Sequence, residues 1–160
     1  MRLNDIKKAF LASAALLSAM SMSAAERFVS FQQGDLLING NDKVEIYMDA
    51  NDCRGVSYAA NALVKDIRNV SGSQATITSN RKATILVGTI GHSAAIDQLV
   101  KQKRINGNLL KGKREKFIIT VVDNQLVIAG SDRRGTIYGI YELSQQMGVL
   151  TFPDFSRHFF

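Results

Sequence analysis

The 160-residue chain has no tryptophan, one cysteine, one proline and two histidines. Each shortage closes a class of explanation. A lone cysteine, Cys53, forbids an internal disulfide, and no spaced ligand set surrounds it, so a zinc site has no basis. It also lacks a nearby histidine and reads as an unpaired small residue rather than a nucleophile. His92 follows Gly91 at a helix start without a second ligand at metal spacing, and His158 lies in the last residues. No metal and no cofactor is expected. One proline and an apolar fraction of 46% exclude a disordered chain. There is no internal repeat, no low-complexity tract and no heptad run.

Long apolar runs are missing too. The longest, Ala9 to Met20, is too short to span a bilayer comfortably. It follows Arg2, Lys7 and Lys8, and Ser23 and Ala25 stand at −3 and −1 of a plausible cleavage point. Residues 1–25 therefore read as a secretory signal, removed before Glu26. The chain is expected to be exported, periplasmic or extracellular, with no membrane attachment once the signal is gone. Those residues carry three basic groups and one acidic group, so the formal charge falls from +6 to +4. Much of the excess sits in Lys101, Lys103, Arg104, Lys111, Lys113, Arg114 and Lys116. No aromatics interleave with them. They read as a solvated connection, and no nucleic-acid partner is expected.

Periodicity then places the elements. Phe28 to Phe31 and Leu36 to Ile38 are short β-type runs with turn residues around them. Val44 to Met48 alternates as a half-buried strand, and Asp49 to Arg54 is a polar loop. Gly55 to Val70 is a helix whose stripe is Val56, Ala59, Ala60, Leu63, Ile67 and Val70. Ala75 to Thr78 is a strand. Thr84 to Val87 is a nearly continuous apolar run, the mark of a strand covered on both faces. Gly88-Thr89-Ile90-Gly91 lacks the spacing of a phosphate-binding loop and reads as a plain strand-to-helix turn. A second helix runs from about Ser93 to Lys103, with Ala95, Ile96, Leu99 and Val100 inward. Asn106 to Lys116 is a polar connection. Phe117 to Val122 and Gln125 to Ala129 are strands joined at Asp123-Asn124.

The most informative stretch is Leu126 to Met147, LVIAGSDRRGTIYGIYELSQQM. It reads as a strand, a polar turn and a helix capped by Ser131 or Asp132. Ile137, Ile140, Tyr141 and Ser144 share one helix face. Gly135 and Gly139 lie four apart, at a cost of about 1 kcal/mol each relative to alanine. That cost suggests close approach of the helix backbone to a sheet. Gly148 is placed to end the helix. Three helices and about seven short strands make the fold class α/β, or α+β, with about three helices packed on a mixed sheet.

GSDRRGTIYGIYELS resembles the signature that closes the N-terminal α/β domain of glycoside hydrolase family 115, the xylan α-glucuronidases. The looser pattern Asp132-x-Arg134-Gly135-x-x-Tyr138-Gly139 is similar to that of the equivalent domain of other α-glucuronidases and of β-hexosaminidases (domain 2). GVSYAANALVKDIRNVSG, from Gly55, and ILVGTIGHSAAIDQLV, from Ile85, resemble family 115 as well. The match runs from about Val44 to Val149, so a domain over 26–149 is expected. After Gly148 the resemblance ends, and LTFPDFSRHFF, residues 150–160, reads as a divergent tail. The chain is thus expected to be truncated or frameshifted ahead of the catalytic barrel that the resemblance implies as its partner.

The signature residues Asp132, Arg134, Gly135, Tyr138 and Gly139 read as structural. A glycosidase needs two facing carboxylates roughly 5 to 9.5 Å apart. Asp132 and Glu142 lie ten residues apart, about 15 Å of helical rise. Asp132 is explained by capping, Glu142 by a solvent-facing position, and Asp49 and Asp52 by a polar loop. No catalytic residue is therefore assigned. Arg134 reads as a structural ion pair near the turn, with Asp132 as candidate partner. Its functional alternative is a contact to an acidic sugar or to the partner domain. The resemblance implies a non-catalytic accessory domain of an enzyme acting on glucuronoxylan side chains, with an acidic xylan oligosaccharide as the candidate ligand. The alternative is a free-standing carbohydrate-binding module. Against it stand the missing tryptophan and the location of Tyr138 and Tyr141 on a helix expected to be mostly buried.

Overall fold

The computed structural model describes residues 43–149. The signal segment 1–25, the runs at 28–31 and 36–38 and the tail 150–160 lie outside the described residues. The elements are β1 (Lys43–Met48), α1 (Arg54–Ser71), β2 (Gln74–Thr78), β3 (Ile85–Thr89), α2 (Ala94–Lys101), β4 (Phe117–Val122), β5 (Gln125–Gly130) and α3 (Arg133–Gln146). A 3-10 turn, Gly107–Leu109, interrupts the connection before β4. The five strands form one mixed sheet in the order β2-β1-β3-β5-β4. All neighbours are parallel except the β4–β5 hairpin. The fold class is α/β.

Strand alternation sends side chains to two cores. Val44, Ile46, Ile85, Val87 and Ile128 meet α1 and α3 on one face. Tyr47, Leu86, Val127 and Ala129 meet α2 and the connection after it on the other. The apolar run of β3 follows from this, because helices cover both of its faces. Ile46, Ile67, Ile85 and Ile140 are fully buried. Each such side chain contributes roughly 1.5–3 kcal/mol. The β4–β5 turn places Asp123 and Asn124 at φ 49° and 63°, as a type I′ hairpin requires at both central positions.

The helices α1 and α3 lie side by side and run the same way. A side chain at Gly55 would meet Ile137 and Arg133 at one end, and Ser144 donates to Asp66 at the other, 2.7 Å. Two expectations need correction here. Val70 is 39% exposed, and Val64 is buried in the stripe instead. An 18-residue helix is about 27 Å long, whereas a five-residue strand is about 17 Å. The last turn of α1 therefore outruns the sheet. The connection expected to be polar, Asn106 to Lys116, buries Leu110, and Ile105 just ahead of it is buried too, since α2 is too short to cover its face of the sheet alone.

The seat of α3 explains its glycines. A Cβ on Gly135 would collide with the backbone carbonyl of Lys116, which leads into β4. A Cβ on Gly139 would stand 2.8 Å from Ile128 Cγ2 and 3.2 Å from Phe117 Cβ. Gly148, at φ 93°, follows the helix end and donates to the Gln145 carbonyl, 3.0 Å. Gly135→Ala is expected to lower stability by about 2–3 kcal/mol, because its obstacle is backbone. Gly139→Leu should cost about 1–3 kcal/mol. Thermal melts of the two variants check this. A Gly135→Ala chain melting at or above the parent would mean that α3 is not held by close backbone approach.

Candidate functional site

The carboxyl ends of β1, β3 and β5 converge at one edge of the sheet, where open α/β sheets hold their ligands. Four aspartates and two threonines occupy that edge. Asp49 is buried after β1. Its Oδ1 accepts from Asn51 N–H at 3.1 Å, and its Oδ2 from Ala94 N–H at 3.1 Å and from the Tyr47 hydroxyl at 3.5 Å. These donors, Asn51 foremost, hold its carboxyl below the usual range against the effect of burial. Asp52 Oδ1 accepts from Cys53 N–H and its Oδ2 from Thr89 N–H, both at 2.7 Å. The hydroxyls of Thr89 and Thr136, both fully buried, lie 2.7 Å apart. Asp97 Oδ1 accepts from Gly91 N–H at 2.8 Å. The Gly88–Gly91 turn is therefore tied to its own helix and packed under Ser93, as a plain strand-to-helix connection.

The signature residues sit at the start of α3 and act on the lead-in to β4. Asp132 Oδ1 accepts from Gly135 N–H and caps the helix, 2.8 Å. Its Oδ2 accepts from Glu115 N–H, also at 2.8 Å. Burial opposes its ionisation, but these N–H groups outweigh it and leave the carboxyl below the ordinary range. Ser131 N–H donates to the Lys116 carbonyl, and Lys116 N–H donates to the Ser131 hydroxyl. Arg134 pairs with Glu115 at 3.0 Å, not with Asp132. The partner differs because Asp132 has already turned both oxygens toward backbone donors. The Glu115 bond also pushes the Arg134 guanidinium further up.

Tyr138 is 41% exposed, although the helix that carries it was expected to be mostly buried. It lies outside the apolar stripe, on the outer surface of α3. Tyr141 is half-buried, and burial with Asp66 nearby raises its hydroxyl pKa. Glu142 is half-buried rather than fully solvent-facing, and its Oε1 accepts from Gln146, 2.8 Å. His92 is exposed. Among the described residues no group of three His, Cys, Asp or Glu is arranged to hold a metal ion, and no helix is long and apolar enough to cross a membrane. Cys53 precedes α1 without a side-chain capping bond. Burial, then Asp52, pushes its thiol up.

Sequence reading missed the ties made by Asp49, Asp52, Thr89 and Thr136. The available signal was an aspartate directly after the strand VEIYM. It also missed Glu115 as the partner of Arg134, 19 residues away. What this edge does chemically is cross-link strand ends, with each aspartate oxygen named above turned to a donor.

Asp49 and Asp132 both have folded-state pKa values below the ordinary value of 3.8. On acidification the unfolded chain takes up these protons first. Their stabilisation is thus complete above that value and is lost as pH falls through the folded-state values. Stability is therefore expected to fall as pH drops below the ordinary carboxylate value. Asp132→Asn should flatten part of that slope in melts across the range. An acid limb identical to the parent's would remove Asp132 from the account.

The family described as glycosyl hydrolase family 67 N-terminus matches residues 38–143. Among solved structures, the chain is similar to BtGH115A, described as a family GH115 4-O-methyl-alpha-glucuronidase with specificity for decorated arabinogalactans. The identity is 35% and the TM-score 0.61, over 68% of this chain and 14% of that one. It also shares its fold with CpGH84D, at 13% identity and TM-score 0.53, over 68% of this chain and 18% of that one. No curated protein matches the chain. The chain thus spans a small part of the length of the proteins it matches. It belongs to the glycosyl hydrolase family 67 N-terminus family and carries the N-terminal domain of an α-glucuronidase-like glycoside hydrolase.

Proposed function

We propose that the chain serves as a non-catalytic accessory domain of an exported α-glucuronidase-like hydrolase acting on glucuronoxylan side chains. One observation carries the non-catalytic part. The acidic and basic groups of the signature are engaged in holding α3 to the lead-in of β4: Asp132 accepts from two backbone N–H groups, and Arg134 binds Glu115. A carboxylate held below its usual pKa by such donors is a poor general acid at neutral pH. The hydrolytic groups then belong to a catalytic barrel, with which this domain associates. The similarity to a 4-O-methyl-alpha-glucuronidase supports a glucuronosyl side chain as the target, while xylan as its carrier rests on the family 115 resemblance alone, since that enzyme is described as specific for decorated arabinogalactans. The basic start, short apolar run and small residues of 1–25 support export.

Incubation of the purified chain with aldouronic acids is expected to release no glucuronic or 4-O-methylglucuronic acid. Clear turnover would overturn the accessory reading. For export, the intact mass of the secreted product should correspond to a chain beginning at Glu26. A product that stays in the cytoplasm with residues 1–25 attached would refute it.

A further inference from the structure

The geometry points to a dimer in which two copies of this chain join edge to edge through β4, a pairing that stands apart from the accessory-domain reading above. The strand, Phe117–Val122, is one outer edge of the sheet. Its two-residue turn makes Val122 and Gln125 a hydrogen-bonded pair. By alternation Thr120 and Ile118 also bond to β5, through Val127 and Ala129. The N–H and C=O groups of Phe117, Ile119 and Val121 therefore point away from the sheet. Among the described residues nothing bonds to them.

An edge of this kind is usually guarded by a charge, a proline or a bulge. FIITVV contains no charge and no proline, and its register with β5 runs without a bulge. Every residue in it is β-branched or aromatic, the types that favour strands. Phe117 faces Gly139 of α3, and Ile119 packs at the rim of the core beneath α1 and α3. Val121, next on the same face, is 55% exposed. The opposite edge contrasts with this. There the Arg68 side chain of α1 reaches β2 and its Nε donates to the Ala75 carbonyl, 3.0 Å.

What completes the β4 edge is another apolar strand with a free side, and β4 itself supplies one. In an antiparallel pairing centred on Ile119, Phe117 of one copy falls opposite Val121 of the other, and Ile119 opposite Ile119. Every outward N–H and C=O then finds a partner, because the free positions of the two strands coincide. The two-fold axis also brings Phe117, Ile119 and Val121 of both copies together on one face as cross-strand apolar pairs. Charge selects this direction. Lys113, Arg114 and Lys116 precede the strand with Glu115 as the one acid among them, and Asp123 follows it. A parallel pairing would stack two basic lead-ins. The antiparallel one holds them about 20 Å apart, the length of a strand of this size, beyond the screening length of about 8 Å at physiological salt. It also sets Lys116 of one copy beside Asp123 of the other.

The test is sedimentation equilibrium of the full chain from about 10 μM to about 1 mM, joined to amide hydrogen exchange. A one-strand contact lies at the small end of specific interfaces, so the expected Kd falls within that range. The mass should double across it, and exchange at Phe117, Ile119 and Val121 should slow in step with the dimer fraction. Val121→Lys puts a charge on the edge, and Val121→Pro removes only an outward N–H. Each should weaken association at least about tenfold, the scale of one lost polar contact. Tyr58→Lys, on α1 at a site 52% exposed, should leave it unchanged. An unchanged amide spectrum away from β4 shows that each variant folds. If the proline variant does not fold, the lysine variant alone decides. A monomer throughout the range overturns the proposal, as does a dimer that both Val121 variants leave intact. Slow exchange at these amides in a monomer overturns it too, since another segment of the same chain would then cover the edge.

Discussion

The structure depends on how α3 is seated beside β4. Asp132 accepts from the N–H of Gly135, inside the helix, and from the N–H of Glu115, 17 residues earlier in the chain. One carboxylate thereby fixes the helix start to the entry of the edge strand. Hydrogen bonds to a charged group contribute roughly 1.5–3 kcal/mol when well made, enough to offset about 1 kcal/mol for each helix glycine. Gly135 and Gly139 then become a requirement, since the Lys116 carbonyl and the Ile128 side chain occupy the space a larger residue would need. The Arg134–Glu115 pair closes the same joint from outside, where solvent screens it and its contribution is small.

That joint sets the other contacts of α3. Thr136, one residue after Gly135, reaches Thr89 at the end of β3. Thr89 in turn donates to Asp52 after β1, and Asp49 beside it receives Ala94 N–H at the start of α2. Three strand ends and the starts of α2 and α3 are bound together through short side chains. An edge that in other α/β sheets stays open to a ligand is here filled by the protein's own aspartates and threonines.

The family assignment agrees with this arrangement. The matched region, residues 38–143, covers all of the sheet and most of α3. A domain held by internal polar ties needs no ligand to complete its core. It suits a rigid module within a longer chain, as in the hydrolases it resembles.

Much of this was legible in the sequence, where the cause is local. The apolar run of β3, the amphipathic face of α1, the Asp132 cap and the Asp123-Asn124 turn all follow from neighbours within a few residues, so period, capping chemistry and turn preference suffice to place them. The glycine spacing of α3 also foretold close approach, because only contact with backbone or a packed side chain justifies two glycines in one helix. Tertiary structure alone decided what depends on distant residues. Arg134 pairs with Glu115 rather than Asp132 because β4 brings Glu115 to the helix start. Val64 replaces Val70 in the core because the sheet is shorter than α1. Tyr138 stays exposed because the seat of α3, set by its glycines, turns that ring outward. Helical and strand periods are properties of a few consecutive residues, whereas these outcomes require knowing which elements lie side by side, and that is settled by packing across the whole domain.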